Sequence, residues 1–402
     1  MSLAVDKIFE EFLSKKSIFV NKEALSIKYT PDAIPHREES IATIAKILAP
    51  ALKYEKPSNI FIFGKTGTGK SLCASYVCRQ LEQIAERKGV NLKIVSVNCK
   101  LRKTADTEYR LIAHLTREFG QEIPATGLPT DEVYNLFFKA IDKPPMQMII
   151  LVLDEIDMLV KKCGDEVLYN LTRINQELKY TKIAIVGISN DIMFTSNLDP
   201  RVKSSLNEEE IVFSPYDALQ LKDILFERAK VAFYPEIIDE TVIAKCAAYA
   251  AREHGDARRA LDLLRVSGEI AERTNKDHMD ESDVDAAEEK IEVETVEQIV
   301  KRLPKQSQAV LYSAFLILKS RDPPVYTGEI YDVYKGICVR TASKQLTQRR
   351  VSDLISELDM LGIINAKVIS KGRYGRTREV SISVTEDVVN HVEGILKSEL
   401  EL

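Results

Sequence analysis

At 402 residues, 45% of them apolar and 29% charged, the chain has room for two or three domains, each with its own core. Its longest aliphatic run, Met148 to Leu153, is too short for a membrane helix; Met1–Glu11 has no signal-peptide centre; and six scattered cysteines without a C-x-x-C pair point to a reduced, cytoplasmic protein, not a zinc or disulfide framework. The net charge of −5 is uneven, with 9 Lys+Arg against 3 Asp+Glu within Arg340–Arg378, which marks one surface for a polyanion on an otherwise acidic chain.

In chain order, the first 200 residues alternate short apolar runs with helical stretches. Strands are predicted at Asn59–Phe63, Lys93–Asn98, Gln147–Leu153 and Lys182–Ser189. Between them, helices are predicted at Glu38–Leu52, Lys70–Lys88, Thr107–Phe119, Thr130–Ile141 and Gly164–Leu178. Such βαβα order predicts an α/β core with a parallel sheet covered on both faces, over residues 1–214. After Ser214-Pro215 everything reads helical: Asp217–Phe233, Asp239–Glu253, Asp256–Arg273 and Glu281–Lys290, a bundle over 215–294. The third domain, 295–402, opens near Thr295–Pro304, where acidic residues give way to a new apolar helix, Ser307–Leu318, and continues with helices Thr327–Cys338 and Thr347–Leu361. Strand-like runs Ile363–Ser370 and Arg376–Val384 follow, joined by the glycine turn Lys371–Gly375. Three helices and a hairpin make the winged-helix plan.

Gly64-Lys65-Thr66-Gly67-Thr68-Gly69-Lys70-Ser71 matches G-x-x-x-x-G-K-[ST] between a strand and a helix. Its glycines let backbone N–H groups curl around phosphates, and the following helix presents its positive end to the same anion. Lys70 should reach the β/γ-phosphates of ATP or ADP, and the Ser71 hydroxyl should ligate Mg²⁺. The aliphatic run ending in Asp154-Glu155 delivers two carboxylates to the end of a buried strand, where α/β sheets place their chemistry. Asp154 is expected in the metal shell and Glu155 as the base that polarises the attacking water. Asp157 reads as a helix-start residue. Asn190, at the tip of the next strand, is placed to meet the γ-phosphate or the water.

These residues resemble the AAA+ ATPases. The helical segment 217–291 is similar to their lid, and Gly255–Leu261 resembles the motif whose arginine contacts the γ-phosphate. Asp256 is a natural N-cap, so Arg258 is preferred for that role over Arg259. Further segments narrow the resemblance to archaeal replication initiators related to the largest subunit of the origin recognition complex and to the cell-division-cycle helicase loader. Pro35-His36-Arg37-Glu38 looks like their adenine-side segment, and Tyr216, at the core–lid junction, is assigned to the same nucleotide site. Leu198–Ser205 resembles their arginine-finger region, with Arg201 the candidate finger acting in trans; Ser205 stands where many relatives carry a second arginine. Gln348–Asp353 also matches that family's strings.

In Thr347–Leu361 the apolar residues Val351, Leu354, Ile355, Leu358 and Leu361 form one stripe. Thr347, Gln348, Arg349 and Arg350 are left at the N-terminal end, where recognition helices meet the major groove. In the hairpin, Lys371, Arg373, Tyr374 and Arg376 form a basic tip suited to a minor groove. The resemblance implies an ATP-dependent switch that binds double-stranded origin DNA and recruits the replicative helicase, with other initiator subunits as further partners, slow hydrolysis, no membrane, and a place in the archaeal cytoplasm at the nucleoid. The alternative is a DNA-translocating motor of the branch-migration type, which also joins an AAA+ core to a winged helix.

Overall fold

The computed structural model describes residues 17–27, 29–100, 105–124, 127–206, 208–320, 324–370 and 376–402. They form two compact units, Met1–Val284 and Asp285–Leu402. In the first, helix α1 (Glu38–Leu48) precedes β1 (Asn59–Gly64), α2 (Lys70–Lys88), β2 (Leu92–Asn98), α3 (Glu108–Glu118), α4 (Thr130–Ile141) and β3 (Gln147–Asp154). Then come α5 (Ile156–Cys163), α6 (Glu166–Arg173), β4 (Thr181–Ser189), α7 (Pro200–Leu206) and β5 (Glu208–Phe213).

All pairings in this sheet are parallel, in the order β2-β3-β4-β1-β5. Its central strands are near-continuous apolar runs because both faces are covered. Alternation sorts their side chains. Phe61, Phe63, Leu151, Leu153, Ile183 and Ile185 pack with α3 to α7 on one face, and Ile60, Ile62, Ile150, Val152, Val186 and Ile188 pack with α1 and α2 on the other. Because β4 lies between β1 and β3, the C-terminal ends of these three strands bring the P-loop, Asn190 and Asp154 side by side.

Three lid helices follow: α8 (Ala218–Ala232), α9 (Glu240–Arg252) and α10 (Ala257–Arg273). Asp217 and Gln220 close a reciprocal capping box at α8, and Asp256 accepts from Arg258 N and Arg259 N at α10, which satisfies donors that a helix start otherwise strands. Residues 17–27 pack against this lid, with Val20 N on Ala232 O at 2.8 Å.

The helix expected over Glu281–Lys290 runs on as α11 (Glu281–Arg302), through the change of composition near Thr295. Val296 and Val300, spaced one turn apart, are buried in the core of the second unit, and no helix breaker intervenes before Pro304. That unit holds α12 (Lys305–Ser320), β6 (Val325–Tyr326), α13 (Thr327–Arg340), α14 (Gln348–Met360), β7 (Ile364–Ser370), β8 (Arg376–Ile382) and α15 (Glu386–Glu399). Its antiparallel sheet runs β6-β8-β7. Val351, Leu354, Ile355 and Leu358 of α14 pack with Phe315, Tyr334 and Val380 in its core, as their spacing implies. Leu361, the fifth member of the expected stripe, is instead 42% exposed because α14 ends at Met360 and the chain turns away there.

Candidate nucleotide and nucleic-acid sites

A cavity of about 690 Å³ opens beside the P-loop. Its wall includes Thr66, Gly67, Thr68, Gly69, Lys70 and Ser71 from the loop, Asp154 and Glu155 from the end of β3, Asn190 beyond β4, and Arg258 from the lid. Lys70 is buried; its Nζ donates to Gly64 O at 2.8 Å, to Lys65 O at 2.6 Å and to Asn190 Oδ1 at 2.9 Å. Burial lowers its pKa to about 8, against a partial restoring pull from Asp154 and with a further push down from Arg258. Ser71 Oγ donates to Asp154 Oδ2 at 2.9 Å.

Loop carbonyls are occupied from behind. Thr68 O accepts from Arg37 Nε at 3.1 Å, and Gly67 O accepts from Ala257 N of the lid at 3.2 Å. With Gly64 O and Lys65 O held by Lys70, the arrangement makes a nest for an anion.

Glu155 has φ 55, the left-handed region that a non-glycine residue adopts at a cost. Its Oε1 lies 3.8 Å from Lys100 Nζ. Its Oε2 is buried with no hydrogen-bond partner among the described residues, as suits a carboxylate awaiting water or substrate. Ser71 and Asp154 supply one hydroxyl and one carboxylate, a donor set that fits Mg²⁺ shared with phosphate oxygens. Among the described residues no cluster of three or more His, Cys, Asp or Glu side chains forms a cage of its own.

Other expected residues take different places. Pro35 lines the cavity, as does Tyr216. His36 and Arg37 do not. His36 faces Asp223 at 2.9 Å. Arg37 is buried behind the P-loop; besides Thr68 O it donates to Tyr216 Oη at 3.1 Å and Ser214 O at 2.6 Å, and it stacks on the Tyr216 ring at 4.0 Å. Of the two lid arginines, Arg258 lines the cavity, while Arg259 pairs with Glu253 at 2.9 Å. Arg201 sits exposed on α7, outside the cavity wall. Asp157 lies in the first turn of α5, buried, accepting from Ser189 Oγ at 3.1 Å. Sequence reasoning missed the far end of the cavity, formed by Ile27, Tyr29 and Ile34 before α1 and by Ile224, Arg228, Val231 and Leu261 of the lid.

In the second unit a groove of about 540 Å³ runs between α14 and the hairpin, lined by Thr327, Gln348, Arg349, Ser352, Asp353, Val368, Thr377 and Arg378. Thr347 caps α14 by accepting from Arg350 N at 3.4 Å. Gln348 and Arg349 face the groove. Arg350 turns along its own helix to Glu357, 3.4 Å away. Lys371, Arg373 and Tyr374 lie outside the described residues, as does the side chain of Arg376. Arg378, which the sequence reading sets beside the basic hairpin tip, lines the groove, as do Thr327 and Val368, which the sequence pattern does not single out.

Three family models match the chain in succession: an AAA domain over 53–190, the Cdc6 AAA+ ATPase-type lid domain over 222–289, and the CDC6, C terminal winged helix domain over 298–392. The chain is 53% identical over 394 residues to the ORC1-type DNA replication protein of Pyrococcus abyssi, covering 97% of this chain and 93% of that one. It is 55% identical over 384 residues to ORC1-type DNA replication protein 1 of Methanosarcina acetivorans, covering 95% and 91%. Among solved structures, the Aeropyrum pernix ORC1 protein in complex with DNA superposes with a TM-score of 0.80 at 46% identity, covering 96% of this chain and 98% of that one.

Proposed function

The chain belongs to the ORC1-type DNA replication proteins, and on that premise we propose that it is an ATP-dependent initiator which binds double-stranded origin DNA and recruits the replicative helicase. One observation carries the ATP part of this reading: Lys70, Ser71, Asp154, Glu155, Asn190 and Arg258 converge on one cavity from four separate stretches of chain. The basic groove of α14 and β8 supports the DNA part, as does the DNA held by the Aeropyrum relative. No helix of the described residues is long and apolar enough to cross a membrane, and the working place proposed is the archaeal cytoplasm, at the nucleoid. Other initiator subunits are proposed as assembly partners.

In this reading Lys70 exchanges its carbonyl and amide partners for β- and γ-phosphate oxygens. Ser71 and Asp154 hold Mg²⁺, which when bound supplies positive charge against the phosphates. Glu155 orients a water and takes its proton as that water attacks the γ-phosphorus; the bond to the β–γ bridging oxygen breaks, and ADP and phosphate leave. Asn190, released by Lys70, is positioned to orient the same water. Arg258 touches the γ-phosphate and so makes the lid sensitive to hydrolysis, since a ligand shifts a domain only through contacts that differ between states. Slow turnover follows if the product complex is a resting state of the switch.

The test is footprinting on the organism's own genomic DNA with ATP, ADP and no nucleotide, together with a turnover assay. A discrete protected site and turnover little changed by random DNA support the switch. Rapid turnover stimulated by any duplex, without a discrete site, would instead support a translocating motor.

A further inference from the structure

The far end of the cavity contains a buried cation that the hydrolysis chemistry does not use. Arg228, on α8 of the lid, lines the cavity and is 7% exposed. Its Nη1 donates to Ala24 O at 3.0 Å and its Nη2 to Tyr29 O at 3.3 Å, while the guanidinium lies over the Tyr29 ring at 4.7 Å. No carboxylate among the described residues lies within 4 Å to answer its charge, and burial pushes its pKa down. A buried charge met only by carbonyls and a ring face is costly to keep; a methionine of similar length would fill the same space more cheaply.

What Arg228 holds explains its presence. Tyr29 and Ala24 belong to the segment before α1, which runs from the lid to the core. Its first part is tied to the lid through Phe19, whose ring meets Phe233 at 4.9 Å, and through Lys22, 2.9 Å from Glu269. Its last part is tied to the core by Arg37, which grips the P-loop at Thr68 O. Between these ties, Tyr29 to Pro35 line the cavity from the strap side. That wall is apolar and aromatic in part, suited to a flat heterocycle and unsuited to phosphate.

Resting on the nucleotide reading above, we infer that Arg228 is a positioning residue for the base of the bound nucleotide. It fixes the Tyr29 carbonyl and ring from the lid side, so base binding depends on the lid's hold on this strap. Arg228 acts through Tyr29 and has no part in gripping the phosphates, which meet the opposite end of the cavity.

The base and phosphate ends can be separated with two ligands. Mg·ATP uses both ends; Mg·tripolyphosphate uses the P-loop alone. Calorimetry on the full chain should show Arg228→Met weakening Mg·ATP binding by about tenfold, the scale of losing charge-assisted hydrogen bonds, with Mg·tripolyphosphate affinity unchanged. Arg228→Lys, which keeps one donor and the charge, should recover part of the loss. Tyr29→Leu should reproduce the selective loss, and the double variant should lose less than the two singles added, because both act through one wall. Equal loss of both ligands in Arg228→Met and Tyr29→Leu would make Arg228 a residue of general folding and overturn the inference. Unchanged Mg·ATP affinity in both would overturn it too. Failure of the unaltered protein to bind either ligand would sink the nucleotide reading itself, a distinct result.

Discussion

Lys70 Nζ stands 2.9 Å from Asn190 Oδ1, although 120 residues separate them in the chain. The contact arises because β4 pairs with β1, with Phe63 opposite Ser189, so the residue after β4 emerges beside the loop after β1. A phosphate oxygen and the Asn190 amide therefore compete for one ammonium. Removing the ammonium and removing the base should separate binding from chemistry.

Lys70→Ala should lose nucleotide affinity by about 100-fold, the loss of two charge-assisted bonds. Glu155→Gln keeps the shape of the site and should bind ATP as the parent does while hydrolysing it about 10²–10⁴-fold more slowly, the scale of general-base catalysis. Equilibrium binding and single-turnover hydrolysis on both variants decide the matter. Equal loss of affinity in the two would remove Glu155 from its assigned role.

The depressed pKa of Lys70, about 8 in the nucleotide-free protein, has a sign that can be checked. Phosphates beside the ammonium favour its charged form, so the bound state holds a proton that part of the free protein lacks near pH 8. Proton uptake should accompany binding, and affinity should fall as pH rises through about 8. Stability of the free protein should move oppositely: above about 8 the unfolded chain, titrating near 10.5, binds more protons at this group, and stability rises with pH across that window. Calorimetry at pH 8 in two buffers of different ionisation enthalpy measures the uptake. Identical apparent enthalpies would refute it.

Gly67 is where the lid meets the phosphate loop. Its φ is +70, and a Cβ there would come 1.7 Å from Asp256 Oδ1. Gly67→Ala should therefore displace the start of α10 as well as strain the loop, at about 1–2 kcal/mol for the backbone alone. Nucleotide affinity should drop, and amide exchange at Arg258 and Arg259, whose N–H groups Asp256 caps, should quicken. Adding Asp256→Ser, a shorter cap, should restore part of the affinity. If the second change restores nothing, the overlap with the lid is not the cause.

The parts legible in the sequence are those whose meaning lies in consecutive residues or in one periodic face. Gly64–Ser71 is contiguous, and Val351, Leu354, Ile355 and Leu358 repeat at helical spacing; all four are buried in α14 as that spacing implies. The winged-helix plan and the parallel α/β core follow from such patterns. β5 escapes because Glu208, Glu209 and Glu210 begin it: an edge strand pairs on one side only, and charge there guards the open edge. α15 is absent from the sequence reading although Val388, Val389, Val392 and Leu396 carry a helical repeat and are buried, so its pattern is legible in principle. The base end of the cavity is illegible for another reason. Tyr29 and Arg228 lie 199 residues apart, and nothing local in either says that the lid returns to meet the strap. Arg37 likewise carries the sign of a nucleotide contact in its motif, while its three bonds face the back of the loop.

The groove of the second unit separates two adjacent arginines that the sequence treats alike. Arg349 lines the groove; Arg350 lies 3.4 Å from Glu357 and is half-exposed, a pair worth about 0–1 kcal/mol. Arg378, on β8, closes the groove from the hairpin side. A side chain at the start of α14 is placed to meet base edges, and one on a strand beside it to meet phosphate. Arg349→Ala should narrow the gap between origin and random DNA by about 1–3 kcal/mol, the discrimination of one bidentate pairing with a base. Arg378→Ala should weaken both DNAs alike and reduce the log–log salt slope by about 0.9, the share of a single neutralised phosphate. Arg350→Ala should change either quantity least, because its charge is already engaged on its own helix. Binding of the three variants to both DNAs across a salt series, at fixed nucleotide, tests the ordering. A larger loss of discrimination in Arg350→Ala than in Arg349→Ala would mean that the Glu357 pair opens on DNA and that the helix reads bases through its other arginine.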